Sequence, residues 1–198
     1  MNFNKELFEK AEAKEFGEFE SLTLGGHEVV IMDAREYESE FSGKVSLKVC
    51  VDIAGNDEQA GYFKRQYEAN KESNDKWSTS ATRYLSLNDE NLSFLKGFIT
   101  ALENSNTGFK FDTKGNWEQL KGKKIVGVFG LEEYKDNEGK IKVATKLTQF
   151  RSLDKLKETK IPKVKLLNGD YIEYEKYQKP AEETSDNEVI ITGDDLPF

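Results

Sequence analysis

Between Val45 and Ile53 an apolar side chain falls on every second residue: Val45, Leu47, Val49, Val51 and Ile53. Lys44, Ser46, Lys48, Cys50 and Asp52 occupy the alternate positions. Five apolar residues in phase at a period of two commit this stretch to a strand with one face on a core. A lone strand cannot satisfy its backbone, so the rest of the chain must supply its partners.

Several segments qualify. Gly25-Gly26 opens a turn, and residues 27–35, with Val29, Val30, Ile31 and Met32, read as a strand; residues 36–43 are polar and turn-like. Residues 61–67 and 82–87 also read as extended. Residues 125–134 and 141–151 flank Asp136-Asn137-Glu138-Gly139, the pattern of a hairpin. Residues 155–165 form a basic connection holding Pro162, and Tyr171, Ile172, Tyr174 and Tyr177 suggest one more strand. Two helices are expected. Phe3, Leu7, Phe8 and Ala11 recur at helical spacing behind Asn2 or Asn4, giving a short helix that covers a sheet edge or meets another subunit. Asn88 caps a second, with Asp89 and Glu90 in its first turn and Leu92, Leu95, Phe98, Ile99 and Leu102 as its stripe. Gly97 inside that helix suggests close packing on a sheet. Strands, one capped helix and then a hairpin fit the order of an OB-fold, and also a generic α+β sheet domain.

Composition narrows the class. A 198-residue chain with 36% hydrophobic and 12% aromatic residues can build one core. The longest apolar runs are a handful of residues, so no membrane span is expected. No signal peptide is legible in Met1-Asn2-Phe3-Asn4-Lys5-Glu6, and one cysteine, Cys50, permits no internal disulfide, so a cytoplasmic protein is expected. His27, the single histidine, reads as a polar residue at a strand start, and no metal or other cofactor is expected. The net charge of -8 is unevenly placed: residues 181–198 carry six acids and no base, whereas residues 121–165 carry 13 Lys/Arg against six Asp/Glu. A basic segment on a near-neutral body suits a phosphate binder.

The acidic segment ends in Asp194, Asp195, Leu196, Pro197 and Phe198. Pro197 keeps the end extended, and Phe198 joins an aromatic ring to a carboxylate, a combination that suits an apolar pocket rimmed by Lys or Arg. This ending resembles the acidic tip of bacterial and phage single-stranded DNA-binding proteins. The resemblance implies that the tip recruits replication and recombination proteins rather than touching DNA. A second resemblance runs through Phe94-Leu95-Lys96-Gly97-Phe98-Ile99, Trp117, Gly122-Lys123 and the hairpin to Arg151-Ser152. There the chain is similar, over most of residues 20–167, to a mostly uncharacterised family of phages and prophages of Gram-positive bacteria, commonly encoded among replication and recombination genes. That family offers no catalytic motif to transfer, and the tetramer of cellular single-stranded DNA-binding proteins is not carried over, so homo-oligomerisation stays open.

With the tip, the OB-like choice is preferred: a mainly β (α+β) fold, a five-stranded barrel with one helix between strands 3 and 4. The expected organisation is an N-terminal helical extension over 1–20, an OB-like nucleic-acid-binding domain over 21–178, and a disordered acidic tail over 179–198. Single-strand binding needs rings for bases and cations for phosphates. Trp77, Tyr84, Phe111, Trp117 and Tyr134 are the candidate rings, and Arg83, Lys123, Lys124, Lys142, Lys146 and Arg151 the candidate cations. No catalytic residue is proposed: Gly122-Lys123-Lys124 lacks the rest of a phosphate-binding loop, and the neighbours Glu132 and Glu133 point to opposite faces of a strand. The expected function is a non-catalytic single-stranded DNA-binding protein of phage replication and recombination, in the host cytoplasm. The alternative is an accessory protein of the same processes acting through protein contacts with little DNA binding; a metal-dependent nuclease is a third reading.

Overall fold

The computed structural model describes residues 21–40, 42–88 and 92–178. The expected N-terminal helix, Asp89, Glu90 and the acidic ending at 194–198 lie outside the described residues. The strands are β1 (Gly25–Glu38), β2 (Val45–Ile53), β3 (Thr82–Ser86), β4 (Lys124–Lys135), β5 (Ile141–Arg151), β6 (Val164–Lys165) and β7 (Tyr171–Ile172). The helices are α1 (Tyr62–Asn70), α2 (Leu92–Ser105) and α3 (Tyr174–Tyr177). All seven strands join one sheet in the order β3-β2-β1-β4-β6-β7, with β5 on β4. The pairs are antiparallel except β4 with β6. No ladder joins β3 to β5, so the sheet is open.

The alternating run forms β2 with the bounds its pattern demands. Leu47, Val49, Val51 and Ile53 are buried against Val29, Ile31, Ala34, Phe129 and Leu147 in one core. β1 is longer than its apolar residues suggested. Its ladder with β2 runs on to Glu38 opposite Val45, closed by a turn in which the Gly43 N–H donates to Ser39 O at 2.7 Å. Gly43 takes φ 61°, which a side chain would resist. The register slips between Ile31 and Asp33, a bulge that keeps Ala34 pointing inward beyond it.

Residues 61–67, expected as a strand, form α1 instead. Gly61 at its N-cap has no side chain to take the first N–H groups. Asp52 supplies the acceptor from β2: its Oδ1 receives the N–H of Phe63 at 3.0 Å, of Lys64 at 3.3 Å and of Ile53 at 2.9 Å. The buried Asp52 thus starts the helix from outside, and Tyr62 and Phe63 turn inward, Phe63 stacking on Phe129 at 5.7 Å. An alternating pattern cannot reveal a cap donated from another element.

The helix before β4 is present as α2, with Phe98 and Leu102 buried and Leu95 and Ile99 partly so. Leu92 is exposed, outside the expected stripe. Gly97 corrects another expectation: a Cβ there would meet nothing within 4 Å, so no close contact requires it. The close approaches lie at Gly130, where a Cβ would run into Pro162, and at Gly26, where it would meet Thr159. The basic connection therefore lies flat on the outer side of β1 and β4. Beyond it, Tyr171 and Ile172 form β7, but Tyr174 and Tyr177 belong to α3 rather than to a strand. Tyr177 donates its hydroxyl to Glu133 at 3.1 Å. Burial, then the Glu133 carboxylate, pushes that phenol up to about 12. No helix among the described residues is long and apolar enough to cross a membrane.

Asp52→Ala removes one acceptor from three N–H donors. It is expected to cost about 1–3 kcal/mol, read as a lower urea midpoint, while Asp52→Asn, which keeps an oxygen, recovers most of the loss.

Candidate nucleic-acid interface

One face of β1, β2 and β3 packs on the core; the opposite face is built from the alternate residues. Directly opposed residues of an antiparallel pair share a face. Arg35, Lys48 and Tyr84 therefore form one row across the three strands, and Tyr37, Ser46 and Ser86 the next. The rings of Tyr37 and Tyr84 meet at 5.3 Å with an interplanar angle of 55°, above the small Ser46 between them. Their exposures are 41% and 48%, so both rings have surface to offer. The far end of this face is closed, since Cys50 and Asp52 are buried there. Arg35 pairs with Asp33 at 3.3 Å on the surface, a contact of small energy.

Burial, followed by the neighbouring Tyr37, holds the Tyr84 phenol above its ordinary range. Burial also raises the Cys50 thiol, against the smaller opposing pull of its Thr82 hydroxyl neighbour. Cys50 stays a protonated strand thiol rather than a nucleophile.

The expected site residues divide. Arg83 and Tyr84 are exposed on β3, and Arg151 is exposed on β5 with only a 3.4 Å contact to Gln149. Lys146 on β5 donates to Thr79 Oγ1 at 2.9 Å. The other lysines are engaged: Lys124 Nζ lies 2.6 Å from Glu28, Lys142 Nζ lies 3.3 Å from Asp136, and Lys123 Nζ sits 4.7 Å over the Phe109 ring. Tyr134 is half-buried opposite Lys142.

Trp77 acts as a structural ring. The β2–β3 ladder ends at Cys50 and Thr82, and the Trp77 indole donates at 3.0 Å to the carbonyl of Val51, the next residue. Its ring leans on Tyr67 at 5.5 Å. Phe111 and Trp117 stack on one another at 5.4 Å, and the Trp117 indole donates to Glu36 at 3.1 Å. Glu103 anchors their loop by accepting the Phe111 N–H at 2.9 Å and the Lys110 ammonium at 3.2 Å. The Phe111 N–H and then Lys110 hold that carboxyl below its usual range. Glu36 stands opposite the buried Leu47, on the other face of β1 from Tyr37, so Trp117 is tied to the face away from the Tyr37–Tyr84 pair.

Arg35, Tyr37 and Lys48 escaped the sequence reading. Lys48 stood on the polar phase of β2, but Arg35 and Tyr37 share the phase of the buried Val29 and Ile31, and only the bulge after Ile31 turns them outward. Reading residues 36–43 as a turn hid Tyr37 as well.

His27 is buried, with Nδ1 3.0 Å from Asp57 Oδ2 and Nε2 2.9 Å from the Thr23 carbonyl. Thr23 Oγ1 also lies 3.1 Å from Nε2, so the three residues imitate a nucleophile–base–carboxylate set. The Thr23 hydroxyl donates to Gln59 Oε1 at 2.9 Å, so its proton is directed away from the imidazole. This arrangement ties the loop after β2 to the start of β1. Among the described residues no three His, Cys, Asp or Glu side chains are placed to hold a metal ion.

No protein-family model matches the chain, and the search of curated proteins finds no match.

Tyr37→Phe removes the second cause of the raised Tyr84 phenol. Tyr84 is then expected to titrate at lower pH than in the wild type, followed by NMR of ring-labelled tyrosine; an unchanged titration would show that the two rings do not meet.

Proposed function

We propose that this protein is a non-catalytic single-stranded DNA-binding protein of phage replication and recombination, acting in the host cytoplasm. The observation that carries the reading is the exposed Tyr37–Tyr84 pair set beside Arg35 and Lys48 on one sheet face. Rings accept any base by stacking, and neighbouring cations take the phosphates. A duplex keeps its bases in its own stack and cannot offer them to such a face.

The strand order also supports it. On this reading β3-β2-β1-β4-β5, with α2 between β3 and β4 and β5 returning beside β3, is an OB-like barrel left open between β3 and β5. The β6–β7 extension and α3 are additions to it. Residues 194–198, by their resemblance to the tip of single-stranded DNA-binding proteins, recruit the replication or recombination partner.

The test is fluorescence polarisation of a labelled dT oligonucleotide at low and moderate salt, with a duplex of equal length as control. Salt-sensitive binding of the single strand alone is expected. Each stacked base is worth about 1–3 kcal/mol, so Tyr37→Ala and Tyr84→Ala are each expected to weaken binding about five- to 150-fold. No binding at low salt moves the weight to an accessory protein working through protein contacts.

A further inference from the structure

A strand stacked on Tyr37 and Tyr84 can leave the platform over the edge of β1 or over β3, and charge separates the two routes. Beyond Ile31, β1 has β2 as its one strand partner among the described residues, and the 117–120 turn lies along it, with Trp117 bonded to Glu36. That stretch of β1 carries Asp33, Glu36 and Glu38. A phosphodiester leaving this way meets carboxylates.

The other route is free of them. No Asp or Glu occurs between Asp75 and Asp89, the segment that holds β3, or between Glu138 and Asp154, the segment that holds β5. These two strands lie side by side without a ladder. Across the gap the Lys146 ammonium reaches Thr79, in the turn before β3. Arg83 follows the inward phase of the buried Ala81 and Leu85, yet it is exposed. It stands on the strand that ends the sheet order, with no ladder on its β5 side. It has no ion-pair partner among the described residues.

We infer that the seam between β3 and β5 is a phosphate track, in which Arg83 and Lys146 carry the backbone of a single strand after it crosses β3 from Tyr84. The inference rests on the single-strand reading above and adds a direction to it. Adjacent to the Tyr84 ring in sequence, Arg83 projects from the other side of the same strand. One nucleotide on the platform and the next phosphates in the seam therefore share β3 as their pivot.

The experiment measures the salt dependence of dT-oligonucleotide affinity for the full chain and its variants. Each phosphate contact on a single strand contributes about 0.7 to the slope of log affinity against log salt. Arg83→Ala and Lys146→Ala are each expected to lower that slope by about this amount. Arg83→Lys should keep it, and Lys114→Ala, in the exposed loop between Phe111 and Trp117, should leave it unchanged. Thr79→Ala removes the partner of Lys146 but no charge; it is expected to keep the slope, and a loss equal to that of Lys146→Ala would overturn the role of Lys146. Wild-type binding with full slopes in Arg83→Ala and Lys146→Ala would overturn the seam while leaving the single-strand reading intact. No binding by the wild type would overturn both.

Discussion

The sheet depends on the double pairing of β1. This strand is bonded to β4 from Gly25 to Val30 and to β2 from Val29 to Glu38, so the two ladders overlap at Val29 and Val30. That shared strand holds the β1–β2–β3 meander and the β4–β5 hairpin on one core. The bulge after Ile31 lets β1 keep an inward Ala34 while it parts from β4. Past that point the meander stands out from the rest of the sheet, paired and covered on its inner side. The outer side is a surface except at its far end, where Cys50 and Asp52 are buried.

The start of α1 shows how far the elements depend on one another. A glycine N-cap gives the helix no acceptor of its own, and the carboxylate that serves it belongs to β2. The same geometry buries Asp52 without leaving it unsatisfied: among the described residues no buried side-chain nitrogen or oxygen lacks a partner. Trp77 follows a similar rule, completing the backbone bonds of β2 where β3 stops. Both are conspicuous residues in sequence, and both are spent on the scaffold.

Charge is arranged by segment as well as by residue. Asp33, Glu36 and Glu38 lie on β1 beyond its pairing with β4, whereas the segments holding β3 and β5 carry cations and no carboxylate. In the basic region Lys124, Lys140, Lys142, Lys155, Lys163 and Lys165 are paired with carboxylates, and Lys123 lies over an aromatic ring. A local excess of base in sequence therefore overstates the cation available at the surface. Pairing across the fold decides which remains.

Much of the fold was legible. The period-two run predicted β2 to the residue, and the turn residues between two such runs predicted the β4–β5 hairpin, because alternation and turn chemistry are local properties. The helix before β4 was legible by the same logic, at 3.6 residues per turn. The short β6, the helical identity of 62–70 and the reach of β1 to Glu38 were not. Each depends on a partner in another element: β4, Asp52 of β2 and Val45 of β2. For the candidate site, Tyr84 and Arg83 were found because a polar strand exposes its rings, while Tyr37 needed the register of β1 on β2 to be seen beside it. By itself the sequence determined β2, the β4–β5 hairpin, the helix between β3 and β4 and the charge of each segment, since these follow from periodicity, turn chemistry and composition. Only the tertiary structure decided which rings meet and which cations are free, because pairing register and ion pairing join residues that no local pattern connects.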